Sequence, residues 1–182
     1  DDNFGARIVG TICAPETGDY YFWIAADDQC ELWLSNDDTE ANKAKIAHHG
    51  GWTDPRQWNK YGTQKSSAIH LTAGKAYFIE AIMKEGIYYD NLAVGWRKPS
   101  DGNGSSPVEV VPGNVLSEYT GGYTTPCNLA IGKTATQSST KDDLFATNAI
   151  DGRIDEFGYN WISGTEEEAR AWWKLDLQDD YA

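Results

Sequence analysis

The chain reads as a succession of short apolar runs separated by polar turns. Residues 7–13, 20–25, 30–34, 68–71, 76–83 and 92–96 are each rich in β-branched or aromatic side chains and bounded by Gly, Pro, Asp or Asn. Thr17-Gly18-Asp19 and Thr72-Ala-Gly74-Lys75 have the composition of turns that feed the next strand. No stretch sustains a helical period, and residues 35–47, with their acids and small side chains, read as a loop. The pattern predicts an all-β sandwich or barrel of antiparallel strands. Residues 98–112 are Pro/Gly/Ser-rich and read as a loop or the start of a linker, while 108–111 and 115–116 are apolar enough for a final strand. Residues 120–126 have linker composition, which divides the chain into a first unit at 1–119 and a second at 127–182.

Composition narrows the partners. The 182 residues suffice to bury a real core, and eight Trp with ten Tyr suit pleated sheets and exposed stacking platforms. A formal net charge of −13 argues against nucleic acid and against docking on anionic lipid. No segment has the apolar length to insert in a membrane, and no signal peptide is present. The opening Asp1-Asp2-Asn-Phe-Gly reads as the run-up to a strand, so the sequence is expected to begin downstream of any leader.

Three cysteines leave one over. Cys13 and Cys30 fall on predicted strands of one small region and are expected to form a disulfide, with Cys127 waiting for a partner beyond residue 182. Three reduced thiols in a cytosolic protein are the alternative. Asn103-Gly-Ser105 is a glycosylation sequon in a loop-like stretch, compatible with an extracellular address.

The densest chemistry lies between two aromatic-rich runs, where Asp27 and Asp28 stand side by side at a tip. Paired carboxylates on a rigid hairpin offer hard oxygen ligands suited to Ca²⁺, although Asp is also a preferred turn residue. Enzymatic chemistry finds no support. There is no Ser elbow and no Cys–His pairing, and His48-His49 read as a solvated loop. Glycoside hydrolysis needs two carboxylates about 5–9 Å apart across a sugar, for which adjacent acids are poor candidates.

Residues 1–119 resemble the PA-fourteen domain, the β-sandwich named after anthrax protective antigen. The match runs through Gly10-Thr-Ile, Thr17-Gly-Asp-Tyr-Tyr-Phe-Trp-Ile, Ala26-Asp-Asp, Leu32-Trp-Leu-Ser, Gly51-Trp-Thr, Leu71-Thr-Ala-Gly-Lys-Ala-Tyr-Phe-Ile-Glu-Ala and Asp90-Asn-Leu-Ala-Val-Gly-Trp. The family's opening strand or two have no counterpart here. Its carbohydrate-binding members look like calcium-dependent lectins in which two adjacent Asp, joined by a cis peptide, hold calcium with help from a second loop. The resemblance therefore selects the antiparallel β-sandwich and implies a Ca²⁺ site at Asp27 and Asp28, with Asp90 and Asn91 from the loop at 85–91. It also implies a sugar site in which Asp27 and Asp28 act through the metal while Tyr88 and Tyr89 stack or anchor the loop.

Residues 127–182 resemble the start of the discoidin, or coagulation-factor type C, domain and its fucose-binding relatives. Cys127-Asn-Leu-Ala-Ile-Gly-Lys-Thr-Ala-Thr-Gln-Ser-Ser, Thr147-Asn-Ala-Ile-Asp-Gly, Trp161-Ile-Ser163 and Ala171-Trp-Trp-Lys-Leu-Asp-Leu177 carry that match. It implies an incomplete discoidin-type jelly-roll sandwich and a second calcium site at Asn148, Asp151, Arg153 and Ser163, with Arg153 departing from the usual Asn or Asp. In that family a cysteine at the position of Cys127 commonly bonds one near the domain's far end. About 55 residues cannot close such a sandwich, so further chain or strand complementation from a neighbouring subunit is expected.

The function these features imply is a calcium-dependent carbohydrate-binding module, a lectin or adhesin part of a larger extracellular protein whose partners are glycans. One alternative is a structural building block of an extracellular fibre or matrix in which calcium only stiffens the fold. Another is the accessory glycan-binding part of a glycosidase.

Overall fold

The computed structural model describes residues 2–121, 127, 130, 133–150 and 163–177. They fall into two compact units, Asp1–Cys127 and Asn128–Ala182. The first unit is all-β. One sheet has the order β4-β3-β6-β1-β9, from Ala44–His49 (β4), Gln29–Leu34 (β3), Ala76–Lys84 (β6), Gly5–Cys13 (β1) and Leu116–Ser117 (β9). The other has the order β5-β2-β7-β8, from Ile69–Leu71 (β5), Gly18–Asp27 (β2), Asn91–Arg97 (β7) and Glu109–Val110 (β8). Every pairing is antiparallel.

Alternation builds the core. Tyr20, Phe22, Ile24 and Ala26 of β2 meet Tyr77, Ile79, Ala81 and Met83 of β6 between the sheets. Strand β2 is buried on its other face as well, where Trp23 and Ala25 are fully covered. The segment before β5 lies across that face. Ser66 N–H donates to the Phe22 carbonyl at 2.8 Å, and Gln64 Nε2, itself fully buried, donates to the Ile24 carbonyl at 2.9 Å. Burial on both faces explains why residues 20–26 are continuously apolar rather than alternating.

Two expectations need correcting. The stretch 35–47 is not all loop, because Ala44–His49 forms β4 at the edge of the larger sheet. The disulfide joins Cys13 to Cys127, with Cα atoms 5.5 Å apart, and Cys30 is a free, buried thiol. The register shows why. Cys13 pairs opposite Ala76 and Cys30 opposite Met83, on the two flanks of β6. That places them roughly 23 Å apart along the strand at about 3.3 Å per residue, well beyond disulfide reach. Cys127 finds its partner inside the first unit, not beyond residue 182. Burial pushes the Cys30 thiol up to about 12.

In the second unit, Thr134–Gln137 (β10) and Trp173–Asp176 (β11) pair antiparallel, and a 3-10 turn spans Ala146–Ile150. Phe145, Trp172 and Trp173 are substantially exposed. Among the described residues, no helix is long and apolar enough to cross a membrane.

Candidate functional site

Both β2–β3 and β6–β7 cross from one sheet to the other at the same end of the first sandwich. The first crossing carries Asp27 and Asp28, and the bond between them is cis. The second carries residues 85–90. Register brings them together, since Asp27 sits directly opposite Asn91 across the β2–β7 ladder and Gln29 opposite Lys84 across β3–β6.

Carboxylate oxygens of Asp27, Asp28 and Glu85 lie within 4.8 Å of one another. Two oxygens on opposite sides of a Ca²⁺ ion, each at about 2.4 Å, would be separated by about 4.8 Å, so one ion can touch all three groups. Glu85 is the unusual member. It is fully buried, and neither of its carboxylate oxygens has a hydrogen-bond partner among the described residues. Burial, then Asp27, Asp28 and Asp90, push its carboxyl above the ordinary range. Burial and then Asp28 push Asp27 in the same direction.

Glu80, five residues earlier on β6, is equally hidden but satisfied. It pairs with Arg7 and with Lys43, whose Nζ is 2.6 Å away. A buried carboxylate is costly unless paired or bound to a metal. Glu80 has the first solution, and the donor chemistry around Glu85 fits the second.

Neighbouring groups hold the site in shape. Asn91 Nδ2 donates to the Thr53 carbonyl at 3.0 Å, which leaves Asn91 Oδ1 buried and, among the described residues, without a partner. Ala26, the residue before Asp27, is clamped on both sides. Ala26 N–H donates to His49 Nε2 at 3.2 Å, while Thr53 N–H and Oγ1 donate to the Ala26 carbonyl at 2.8 and 3.0 Å. His49 therefore carries its proton on Nδ1, which donates to the Gly51 carbonyl at 2.7 Å. Burial pulls its pKa down and keeps the ring neutral. His49 is thus a buried strand residue, contrary to its expected place in a solvated loop. Gly86 N–H donates to Asp28 Oδ2 at 2.9 Å, and a Cβ at Gly86 would lie 2.5 Å from that oxygen.

Above the acids opens a cleft of about 580 Å³. Trp52 and Asp54 line one side, and Ile87, Tyr88, Tyr89 and Asp90 line the other. Tyr88 and Tyr89 are 83 and 82% exposed and Trp52 is half-exposed. Lys60 Nζ lies over the Trp52 ring, 2.9 Å from its centroid.

The residues singled out by sequence are therefore distributed as follows. Asp27, Asp28 and Asn91 converge; Asp90 lies exposed at the rim, while Glu85 joins the carboxylate cluster. Glu85, His49 and Thr53 were given no site role by the sequence, although Thr53 ends the matched Gly51-Trp-Thr and Glu85 opens the loop at 85–91. Glu85 had a signal, because it continues the inward phase of Ile79, Ala81 and Met83 one step past the end of β6. Asn103 is exposed, and its Oδ1 accepts from Lys65 Nζ at 2.5 Å. Of the second set, Asn148 donates from Nδ2 to the Asp143 carbonyl at 3.2 Å and Ser163 is half-buried, while Asp151 and Arg153 lie outside the described residues.

Comparison with known families decides the identity of the first unit. The model of the PA14 domain matches residues 1–110. The chain belongs to the PA14 domain family. Among curated proteins, it is 36% identical over 100 residues to mouse N-acetyl-beta-glucosaminyl-glycoprotein 4-beta-N-acetylgalactosaminyltransferase 1, covering 52% of this chain and 10% of that protein. It is 34% identical over 84 residues to mouse fibrocystin-L, covering 46% of this chain and 2% of the relative. The chain thus spans a tenth or less of the length of these relatives. Solved structures similar to it include the A domain of epithelial adhesin 9 from Candida glabrata in complex with Galb1-4GlcNAc. That likeness has 17% identity and a TM-score of 0.45, over 66% of this chain and 55% of the adhesin chain. An anti-sigma factor domain-containing protein from Clostridium clariflavum has 24% identity and a TM-score of 0.47, over 64% of this chain and 34% of that one.

Proposed function

We propose that the PA14 unit is a calcium-dependent carbohydrate-binding module acting in an extracellular setting. The carrying observation is Glu85, a fully buried carboxylate with no partner among the described residues, converging with Asp27 and Asp28 beneath an open cleft. Asp27, Asp28, Glu85 and Asn91 Oδ1 would hold the ion, all with hard oxygen donors of the kind Ca²⁺ takes. Calcium bound there would offset most of the cluster's charge and offer remaining coordination positions to sugar hydroxyls. Tyr88, Tyr89 and Trp52 supply flat apolar faces that suit the C–H face of a pyranose, and their exposure favours a ligand over a merely stiffened loop.

The module binds rather than reacts. The carboxylates of Asp27, Asp28 and Glu85 gather within 4.8 Å of one another, an arrangement that suits one metal ion rather than an acid–base pair. Residues 127–182 are proposed, on their sequence motifs, to begin a discoidin-like domain with a calcium site that includes Asn148, Asp151, Arg153 and Ser163. Completion of that unit by further strands, from this polypeptide or a neighbouring subunit, would cover Phe145, Trp172 and Trp173.

The test is a glycan array read in calcium and again in chelator, with Asp28→Asn alongside. Calcium-dependent binding that disappears in the variant supports the lectin. Calcium-dependent thermal stabilisation with no glycan bound would replace it with the structural building block.

A further inference from the structure

Charge on the walls of the cleft goes further than the presence of a metal. Its floor holds the Asp27 and Asp28 carboxylates against Glu85, and its two walls add Asp54 and Asp90. Among the described residues, none that lines the cleft is cationic; the Lys60 ammonium, which lies over the Trp52 ring, also attracts the Asp27 carboxylate and offsets one charge at most. One divalent ion offsets two of these five negative charges and leaves a surplus.

A sugar carboxylate could enter in two ways, and both are unfavourable. As a metal ligand it would be a fourth carboxylate on an ion already facing three. Standing away from the metal, it would enter the negative field of Asp54 and Asp90, whose repulsion is strongest at low salt because both are exposed. A neutral sugar meets neither cost, and its hydroxyls can donate to the same acids.

Resting on the calcium-lectin reading, we infer that the cleft selects neutral over acidic glycans, with Asp54 on the Trp52 loop as a specificity-determining residue. Selection here works by disfavouring the wrong partner as much as by attracting the right one. Asp54 comes from neither of the two loops that carry the metal ligands. It is exposed and lies outside the Asp27–Asp28–Glu85 cluster, although its charge reaches Asp27, so calcium affinity has to be followed on every variant.

The experiment pairs ligands that differ only at C6. Methyl glycosides of galactose, glucose and mannose are compared with the corresponding methyl uronides by ligand-observed NMR in calcium, on the full chain and on Asp54→Lys and Asp54→Asn. Calcium affinity is measured separately on each protein by calorimetry. The expected result is that at least one neutral glycoside binds about tenfold or more tightly than its uronide, a gap that widens at low salt. Asp54→Asn should narrow that ratio and Asp54→Lys should cancel or reverse it. Equal or tighter binding of the uronide by the unaltered chain overturns the inference while leaving the lectin intact. So does a ratio that Asp54→Lys leaves unmoved. Binding of none of the six sugars, with calcium itself bound, overturns both this inference and the lectin reading beneath it.

Discussion

The two ends of the PA14 sandwich are finished in opposite ways. At the Cys13 end the chain is sealed by the Cys13–Cys127 disulfide, and the turn at residues 72–75 is tied down at every step. Thr72 N–H donates to Tyr77 Oη, Ala73 N–H to Thr17 Oγ1 and Gly74 N–H to the Ala14 carbonyl, all between 2.8 and 2.9 Å. At the Asp27 end the same strands deliver a buried carboxylate and a buried amide oxygen that nothing in the described structure satisfies. Toward the sealed end the Thr11 hydroxyl is also buried without a partner among the described residues, but a hydroxyl costs far less to leave unmatched than a carboxylate does. The contrast teaches that one end is spent on holding the fold and the other on holding something else.

The largest effect should come from breaking the sealed end. Cys127→Ser removes a crosslink spanning 114 residues, which stabilises by about 4–5 kcal/mol on chain-entropy grounds. Denaturant unfolding should show that loss while calcium affinity moves by less than about twofold. A large loss of calcium affinity would mean the two ends are not separable.

Next comes the metal. Calcium at about one hundred times its dissociation constant should stabilise the protein by about 2.7 kcal/mol against unfolding. Glu85→Gln should erase most of that gain yet leave the calcium-free protein at least as stable as before, because a buried charge has been removed. If the variant unfolds early with and without calcium alike, Glu85 is a structural residue.

Gly86→Ala is a smaller perturbation. Its methyl would press on Asp28 Oδ2, the tip of a side chain that can swing aside, so the stability cost should be under about 1 kcal/mol, the low end of overpacking, while the displaced carboxylate weakens the metal site. Thermal melts in chelator should show the stability cost, and calcium titration should show weaker binding. An unchanged titration would place Asp28 outside the metal shell.

The smallest effect is the acid response of His49. Its folded pKa lies below the ordinary 6.5, chiefly through burial. The unfolded chain therefore binds a proton that the folded chain refuses, so stability present above pH about 6.5 falls as the pH drops below it. His49→Gln should flatten that part of the calcium-free stability profile. An unchanged slope would show that the ring is not held neutral.

How much of this could be read in the sequence follows from what each residue leaves in the pattern. Strands β1, β2, β3, β6 and β7 announce themselves because burial on one or both faces writes alternating or continuous apolar runs. Strand β4 does not. Its buried positions are filled by Ala47 and His49, and the register against Leu32 and Trp33 skips Ile46, so the strand's own alternation is broken. The acidic tip was legible from two adjacent Asp between core strands. Glu85 was not, because an acid just past a strand looks like the start of a loop until the inward phase of β6 is followed one residue further. The disulfide could not be assigned from proximity in the chain. It depends on register, which puts Cys13 and Cys30 at opposite ends of β6 and folds Cys127 back to the first of them.

The most direct measurement is a calorimetric titration of calcium-free protein with Ca²⁺, run on the full chain and on Glu85→Gln. The account predicts a binding event in the unaltered chain that is weakened tenfold or more in the variant, with folding intact by circular dichroism. An isotherm that Glu85→Gln leaves unchanged, or no calcium binding by the unaltered chain, would contradict the claim that Asp27, Asp28 and Glu85 form a metal site.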